Sequence, residues 1–165
     1  MSDASEAPSV EVAVRCKSWL DEQTDAAMLA ARAAEAALAE TVGTGHFIVD
    51  ISLSDDTEQR GLNRTYRGKN SSTNVLAFPQ SAPEAAHPGP PLLLGDVVLA
   101  FETVQRETVE QGKPFADHLC HLVVHGVLHL LGFDHDTAGE AAIMEAHEVK
   151  ILAGLGVPDP YCGIM

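Results

Sequence analysis

Three histidines, His125, His129 and His135, stand in the pattern His-x3-His-x2-Gly-x2-His in this chain of 165 residues. On an α-helix a spacing of four turns the chain by about 40° and lifts it by about 6 Å, so His125 and His129 lie one above the other. Both imidazoles can then reach one ion at zinc–nitrogen distances of roughly 2.0–2.1 Å. Gly132 follows three residues later, where a left-handed cap can end the helix. The chain then folds back and His135 approaches the same ion from another side. Three protein ligands with a fourth position left to water is the catalytic zinc arrangement, whereas a structural site closes its tetrahedron. Nickel suits the same ligands. His121 is on the same stripe, but it lies about 12 Å along the axis from His129 and cannot share an ion with it. The glycine turn favours the 125/129 pair. His121 is left open between a supporting or substrate-side role and a structural one, and His118 is expected in packing or at the surface.

An ion held by three neutral imidazoles keeps its double positive charge and lowers the pKa of bound water toward ~7, supplying hydroxide for attack on a carbonyl or a phosphodiester. The motif is similar to the zincin signature His-Glu-x-x-His-x-x-Gly-x-x-His, except that Gly126 stands at the glutamate position. That glutamate is the general base of the peptidases. Amide hydrolysis is therefore disfavoured. A phosphodiester needs positive charge around its non-bridging oxygens, which a metal and a nearby arginine supply. Asp134, beside His135, is open between orienting a ligand, accepting a proton and capping a helix. Asp96 follows a glycine in a strand and either caps or braces the site. Glu145, His147 and Glu148 are expected on a solvated helix face.

The net charge is −14, which repels nucleic acid at long range unless positive charge is concentrated locally. It is concentrated: Arg60, Arg64, Arg67 and Lys69 are four of the ten basic residues, within one ten-residue window. Taken alone, that window also fits a solvated helix end with cations at its C-terminus. Hydrophobic residues make up 45% and charged residues 21%, globular values for one domain with a real core. Cys16, Cys120 and Cys162 are scattered, with no Cys-x-x-Cys pair, which points to reduced thiols in a cytosolic protein. The acidic, polar start Met1-Ser-Asp-Ala-Ser-Glu-Ala-Pro8 is unlike a signal peptide, and no apolar run approaches the ~18 residues that cross a bilayer. A soluble protein is expected.

The elements that must hold these residues are legible in outline. Residues 1–8 read as a flexible tail, and 9–165 as a single domain. Alternation places strands over 10–14 and 47–53; a short third strand is expected over 73–78, closed by Pro79, and a fourth over 92–101, containing Gly95-Asp96. Helices are expected over 25–40, from Ser54-Asp-Asp-Thr-Glu to Tyr66 with Gly68 as the stop, over 102–111, over 115–131, and from Asp136 or Thr137 to about 154. Thr137-x-x-Glu140 fits a capping box. Five prolines between Pro79 and Pro91 make 81–91 a loop. Strands early and helices late give an α+β fold with one small, four-stranded sheet covered by about five helices.

Three segments together carry a resemblance. Leu62-Asn-Arg-Thr-Tyr-Arg67-Gly-Lys-Asn-Ser-Ser-Thr-Asn-Val-Leu-Ala-Phe-Pro79, Leu94-Gly-Asp-Val-Val98 and the stretch from His121 through His125, His129 and Gly132 to His135 resemble the YbeY family. The likeness runs from about Val10 to Tyr161. Members are metal-dependent single-strand endoribonucleases of bacterial rRNA maturation, including the 16S rRNA 3′ end, and of ribosome quality control. The resemblance implies one zinc ion on His125, His129 and His135, a functional arginine at Arg67, and a mixed sheet beside helices with the metal in a cleft. It implies single-stranded RNA and a ribosomal component as partners, with neither membrane nor DNA, in the cytoplasm. On that footing Arg67 is expected at the scissile phosphate and Arg60, Arg64 and Lys69 along the RNA path, with His121 on the substrate side. Asn63 and Asn74 are open between contacts to ribose or base edges and the capping of local turns. Ser72 stands where the family often has proline, and Ala77 where it often has serine; neither is a ligand position. The competing readings are a zinc peptidase-like hydrolase with a base from elsewhere, and a non-catalytic ribosome assembly factor with structural zinc.

Overall fold

The computed structural model describes residues 8–43, 45–83 and 90–161. All but Pro8 of the expected tail over 1–8, the middle of the proline-rich loop and Cys162 lie outside the described residues. Four strands, β1 (Ser9–Val14), β2 (Phe47–Ser54), β3 (Val75–Pro79) and β4 (Leu92–Ala100), form one sheet in the order β1-β2-β4-β3. β1 and β4 both run parallel to β2, and β3 pairs antiparallel with β4 at the edge. The helices are α1 (Ser18–Glu22), α2 (Ala26–Thr41), α3 (Asp56–Arg67), α4 (Phe101–Gln111), α5 (Phe115–Leu130) and α6 (Ala138–Gly154). The mixed, four-stranded α+β architecture is the one expected. The addition is α1, too short to leave a periodic pattern.

α1 exists because Trp19 is wholly buried, packs edge-on against Phe101 and Phe115 at 5.4 and 5.7 Å, and donates its indole N–H to the Ser54 carbonyl at 2.8 Å. An aromatic that finds both apolar cover and a hydrogen-bond partner overrides weak local propensity.

On β2 the residues Phe47, Val49, Ile51 and Leu53 point inward, as the alternation requires, toward α2 and α5. The buried face of α2 is Ala26, Ala30, Ala33, Ala34, Ala37 and Leu38. Side chains this small let α2 lie close to α5, and α5 in turn lies across β3 and β4. α3 covers the opposite face of the sheet: Gln59 reaches the Val98 carbonyl at 2.9 Å, and Tyr66 packs on Phe78 with ring centres 5.4 Å apart.

The caps act locally and hold the ends that bear chemistry. Asp55 accepts from the Glu58 amide at 2.9 Å at the start of α3, and Gly68 closes the helix in the left-handed region at φ 68°. Thr137 and Glu140 make the full capping box at the start of α6. The turn carrying His135 is therefore held between two defined helix ends.

Candidate metal centre

His125 and His129 occupy successive turns of α5, and the Gly132 turn, with φ 98°, carries the chain back so that His135 faces them. Asp134 accepts from the His135 amide at 2.8 Å and fixes this turn. One ligand atom from each of the three imidazoles lies within 4.8 Å of the others. Nε2 of His125 and Nε2 of His129 are 3.2 Å apart. Two nitrogens bound tetrahedrally to one ion at roughly 2.05 Å stand about 3.3 Å apart. The group can hold a metal.

Protonation states agree with that geometry. Nδ1 of His125 is 2.6 Å from Oε2 of Glu148, a carboxylate with no exposed surface on α6. A carboxylate can only accept, so the proton belongs on His125 Nδ1 and the lone pair is left on Nε2, facing His129. Burial first, and then the neighbouring His125 and His135, push His129 down to about 4, so its ring is neutral at pH 7. The two facing nitrogens, 3.2 Å apart, can share one proton in a hydrogen bond or hold one cation between them.

Glu148 also takes His121 Nε2 at 2.9 Å on its other oxygen, and the Tyr161 hydroxyl donates to that same oxygen. Burial alone would raise this carboxyl, but the bonds from His121, His125 and Tyr161 outweigh it and hold the group at about 2. Glu148 is thus an ionised, fully buried acceptor shared by three donors. This corrects the solvated-face expectation for the 145–148 stretch: Glu145 is exposed, His147 is half-buried and packs on Phe133 with ring centres 4.7 Å apart, and Glu148 is at the heart of the site. A signal for it was present in the sequence. Met144, Ile151 and Leu152 mark the buried stripe of α6, and Glu148 falls on that stripe at helical spacing. A charge in a core stripe requires partners.

A cleft of about 640 Å³ opens over the three histidines, and its walls include Arg67 from the end of α3, Asn74 and the β3 edge, and Asp134 and Asp136 from the histidine turn. The structure therefore brings Arg67 into the same cleft as the three histidines. It does not bring Arg60 or Arg64 there; both line a separate shallow depression on α3 with Asp56, Thr57 and Gly61. Lys69 is exposed just past the helix cap. Asn63 is wholly buried and donates to the Ser71 carbonyl at 2.8 Å, which fixes the loop leading to Asn74 and keeps Asn63 from any substrate. Asn74 itself donates to Glu107 on α4 at 3.0 Å. Asp96 does not reach the site. Gly95 and Val97 on either side of it face α5, so Asp96 points to the opposite sheet face, paired in register with Asp50. His118 is buried against Glu107 at 2.8 Å, and Cys120 is a buried thiol pushed up to about 11 chiefly by burial.

Gly126 has a steric cause. A Cβ there would stand 2.7 Å from Val97 Cγ1 and 3.4 Å from Val75 Cγ2. The position where a peptidase places its base is occupied by the sheet.

Known proteins match this chain over most of its length. The family model for endoribonuclease YbeY matches residues 13–156. A relative from Paramagnetospirillum magneticum (strain AMB-1), named endoribonuclease YbeY, is 51% identical over an aligned length of 158, and the match covers 93% of this chain and 96% of that protein. One of the same name from Rhodopseudomonas palustris (strain CGA009) is 46% identical over 156 residues, 94% of this chain and 82% of the relative. A solution structure from Thermotoga maritima shares the fold at a TM-score of 0.53 and 19% identity, covering 94% of this chain and 99% of that one. A match over most of the chain, at close to half identity with full-length relatives, makes this protein a member of the endoribonuclease YbeY family.

Proposed function

We propose that this chain is a zinc-dependent single-strand endoribonuclease acting in rRNA maturation, including the 3′ end of 16S rRNA, and in ribosome quality control. Residues 9–165 then work as one catalytic domain in the cytoplasm. The observation that carries the reading is the convergence of Arg67 and the three histidines on one cleft. The relatives' shared name supplies the substrate class.

His125, His129 and His135 would hold the ion. When bound, a divalent cation with an open coordination position lowers the pKa of water toward ~7 and offsets charge on a phosphate oxygen. Arg67 offers a planar, permanently charged fork suited to two oxygens of one phosphate, and it binds and orients the scissile group. Glu148 keeps the proton on Nδ1 of His125. The 132–136 turn and β3 wall the cleft. Arg60 and Arg64 extend positive charge along α3 from Arg67, and Lys69 adds to it just past the cap, a path for the flanking phosphates, while His121 lies on the substrate side. Against so acidic a background this path is short, which supports a ribosomal partner that delivers the RNA. No helix among the described residues is long and apolar enough to cross a membrane. Val97 at the Gly126 position counts against the peptidase reading.

The deciding experiment compares purified protein on single-stranded RNA and on a peptide library, each with and without chelator. RNA cleavage abolished by chelation and restored by zinc is the expected result. Cleavage that survives complete metal removal overturns the proposal. Chelation that unfolds a protein with no turnover on either substrate favours the assembly factor.

A further inference from the structure

A second cavity, of about 320 Å³, adjoins the metal cleft and shares Asn74, Val75 and His125 with it. We infer that this cavity binds the nucleobase of a nucleotide next to the cleaved phosphate, with the Tyr161 ring as its stacking surface. The inference rests on the nuclease reading and adds to it a recognition site for one base.

Charge divides the nucleotide between the cavities. Arg67 lines the first cavity and not the second. The second has the Glu107 carboxylate in its wall, with 24% of that side chain exposed, and Lys113 as its cationic lining residue. Glu107 is oriented by Asn74 and His118, so its position is set before any ligand arrives. A phosphate next to that carboxylate is repelled, whereas a neutral base is not. Base edges carry both donors and acceptors, which Glu107, Gln111 and Lys113 can answer.

Shape and reach agree. The volume matches a small-ligand cavity and suits a base with its sugar, not an oligonucleotide. Val75, Leu122 and Pro160 give it apolar walls. Tyr161 is 46% exposed and lies perpendicular to the His121 ring, with centres 5.5 Å apart; that exposed ring surface is what a base would stack on. Its hydroxyl is anchored on Glu148, which holds the ring in place. The His121 and His125 rings are 6.4 Å apart, one helical turn from the metal ligand and within the span that links a phosphate to its own base.

The test uses the zinc-loaded, full-length chain and a single-stranded RNA in which one nucleotide at a time is made abasic. Both cleavage and binding by fluorescence anisotropy are followed. The expected result is one position, flanking the cut, at which loss of the base lowers kcat/KM and affinity roughly tenfold, the loss expected when one stacked base is removed. Tyr161→Leu erases that dip, and Tyr161→Phe, which keeps the ring, retains it. Gln111→Trp fills the cavity from an exposed position that touches no metal ligand, and it also erases the dip if Tyr161→Leu fails to fold. A flat scan, or a dip that persists in both Tyr161→Leu and Gln111→Trp, overturns the inference while the intact RNA is still cut. Intact RNA that is bound with the same single dip but never cut overturns the nuclease reading and leaves the base site standing. RNA neither bound nor cut overturns both.

Discussion

Oε2 of Glu148 lies 2.6 Å from Nδ1 of His125, joining two helices 23 residues apart in sequence through one buried hydrogen bond. The carboxylate selects the tautomer that turns the Nε2 lone pair of His125 toward His129. Outer partners of this kind tune metal affinity as well as ring orientation. Glu148→Gln keeps the volume but loses the charge and one of the acceptor oxygens. Metal affinity, read by competition with a chromophoric chelator, is expected to fall about 10–100-fold. Unchanged affinity would show that the bond is packing alone.

Arg67 belongs to the cleft but not to the ligand set. Arg67→Glu is expected to abolish RNA cleavage and leave one equivalent of bound zinc. Arg67→Lys keeps the charge but loses the two-pronged geometry, and is expected to retain only a small part of the rate. Retained cleavage by Arg67→Glu would remove this residue from the mechanism.

His129→Ala removes one of the three imidazoles proposed to hold the ion. Elemental analysis should show the loss of one metal equivalent relative to wild type. Thermal stability should then no longer rise with added zinc, because a ligand that binds only the folded state stabilises it by mass action. A full equivalent retained by the variant would place the ion elsewhere.

Gly126→Ala puts a methyl group 2.7 Å from Val97 Cγ1. Overpacking at such a contact costs about 1–3 kcal/mol, readable as a lower urea midpoint at unchanged slope. Gly126→Glu is expected to destabilise further and to gain no peptidase activity. Full stability of both variants would mean that α5 shifts freely over β4, against the packing described.

The apo protein should lose stability as pH falls, in two windows. His129 is depressed to about 4 from the ordinary 6.5, so between these values the unfolded chain binds a proton that the folded one does not, and acid favours unfolding. Glu148 is depressed to about 2 from 4.5, and its contribution, present above 4.5, is lost between those values. Urea titrations of chelator-treated protein at pH 7, 5.5 and 4.5 should show falling midpoints, and His129→Gln should flatten the upper window. A midpoint independent of pH from 7 to 5 would contradict the burial of His129.

The sequence by itself determined what depends on near neighbours. Helical spacing aligned His125 with His129, Gly132 returned the chain to His135, and Thr137 and Glu140 closed the next helix. Alternation located the first two strands, apolar runs bounded by proline and loop residues located the other two, and the cluster of motifs pointed to the family. Tertiary structure decided the rest, because it depends on which distant surfaces meet. α1 forms only because Trp19 finds Phe101, Phe115 and the Ser54 carbonyl. Glu148 read as a solvated charge until α6 packed it against His121 and His125. Arg67 was one of four clustered cations until the end of α3 and the β3 edge turned it alone to the histidines. Gly126 looked like a missing base, and the packing of α5 on Val97 shows that no side chain fits there. In each case the deciding partner lies 20 or more residues away, beyond the reach of any local periodicity.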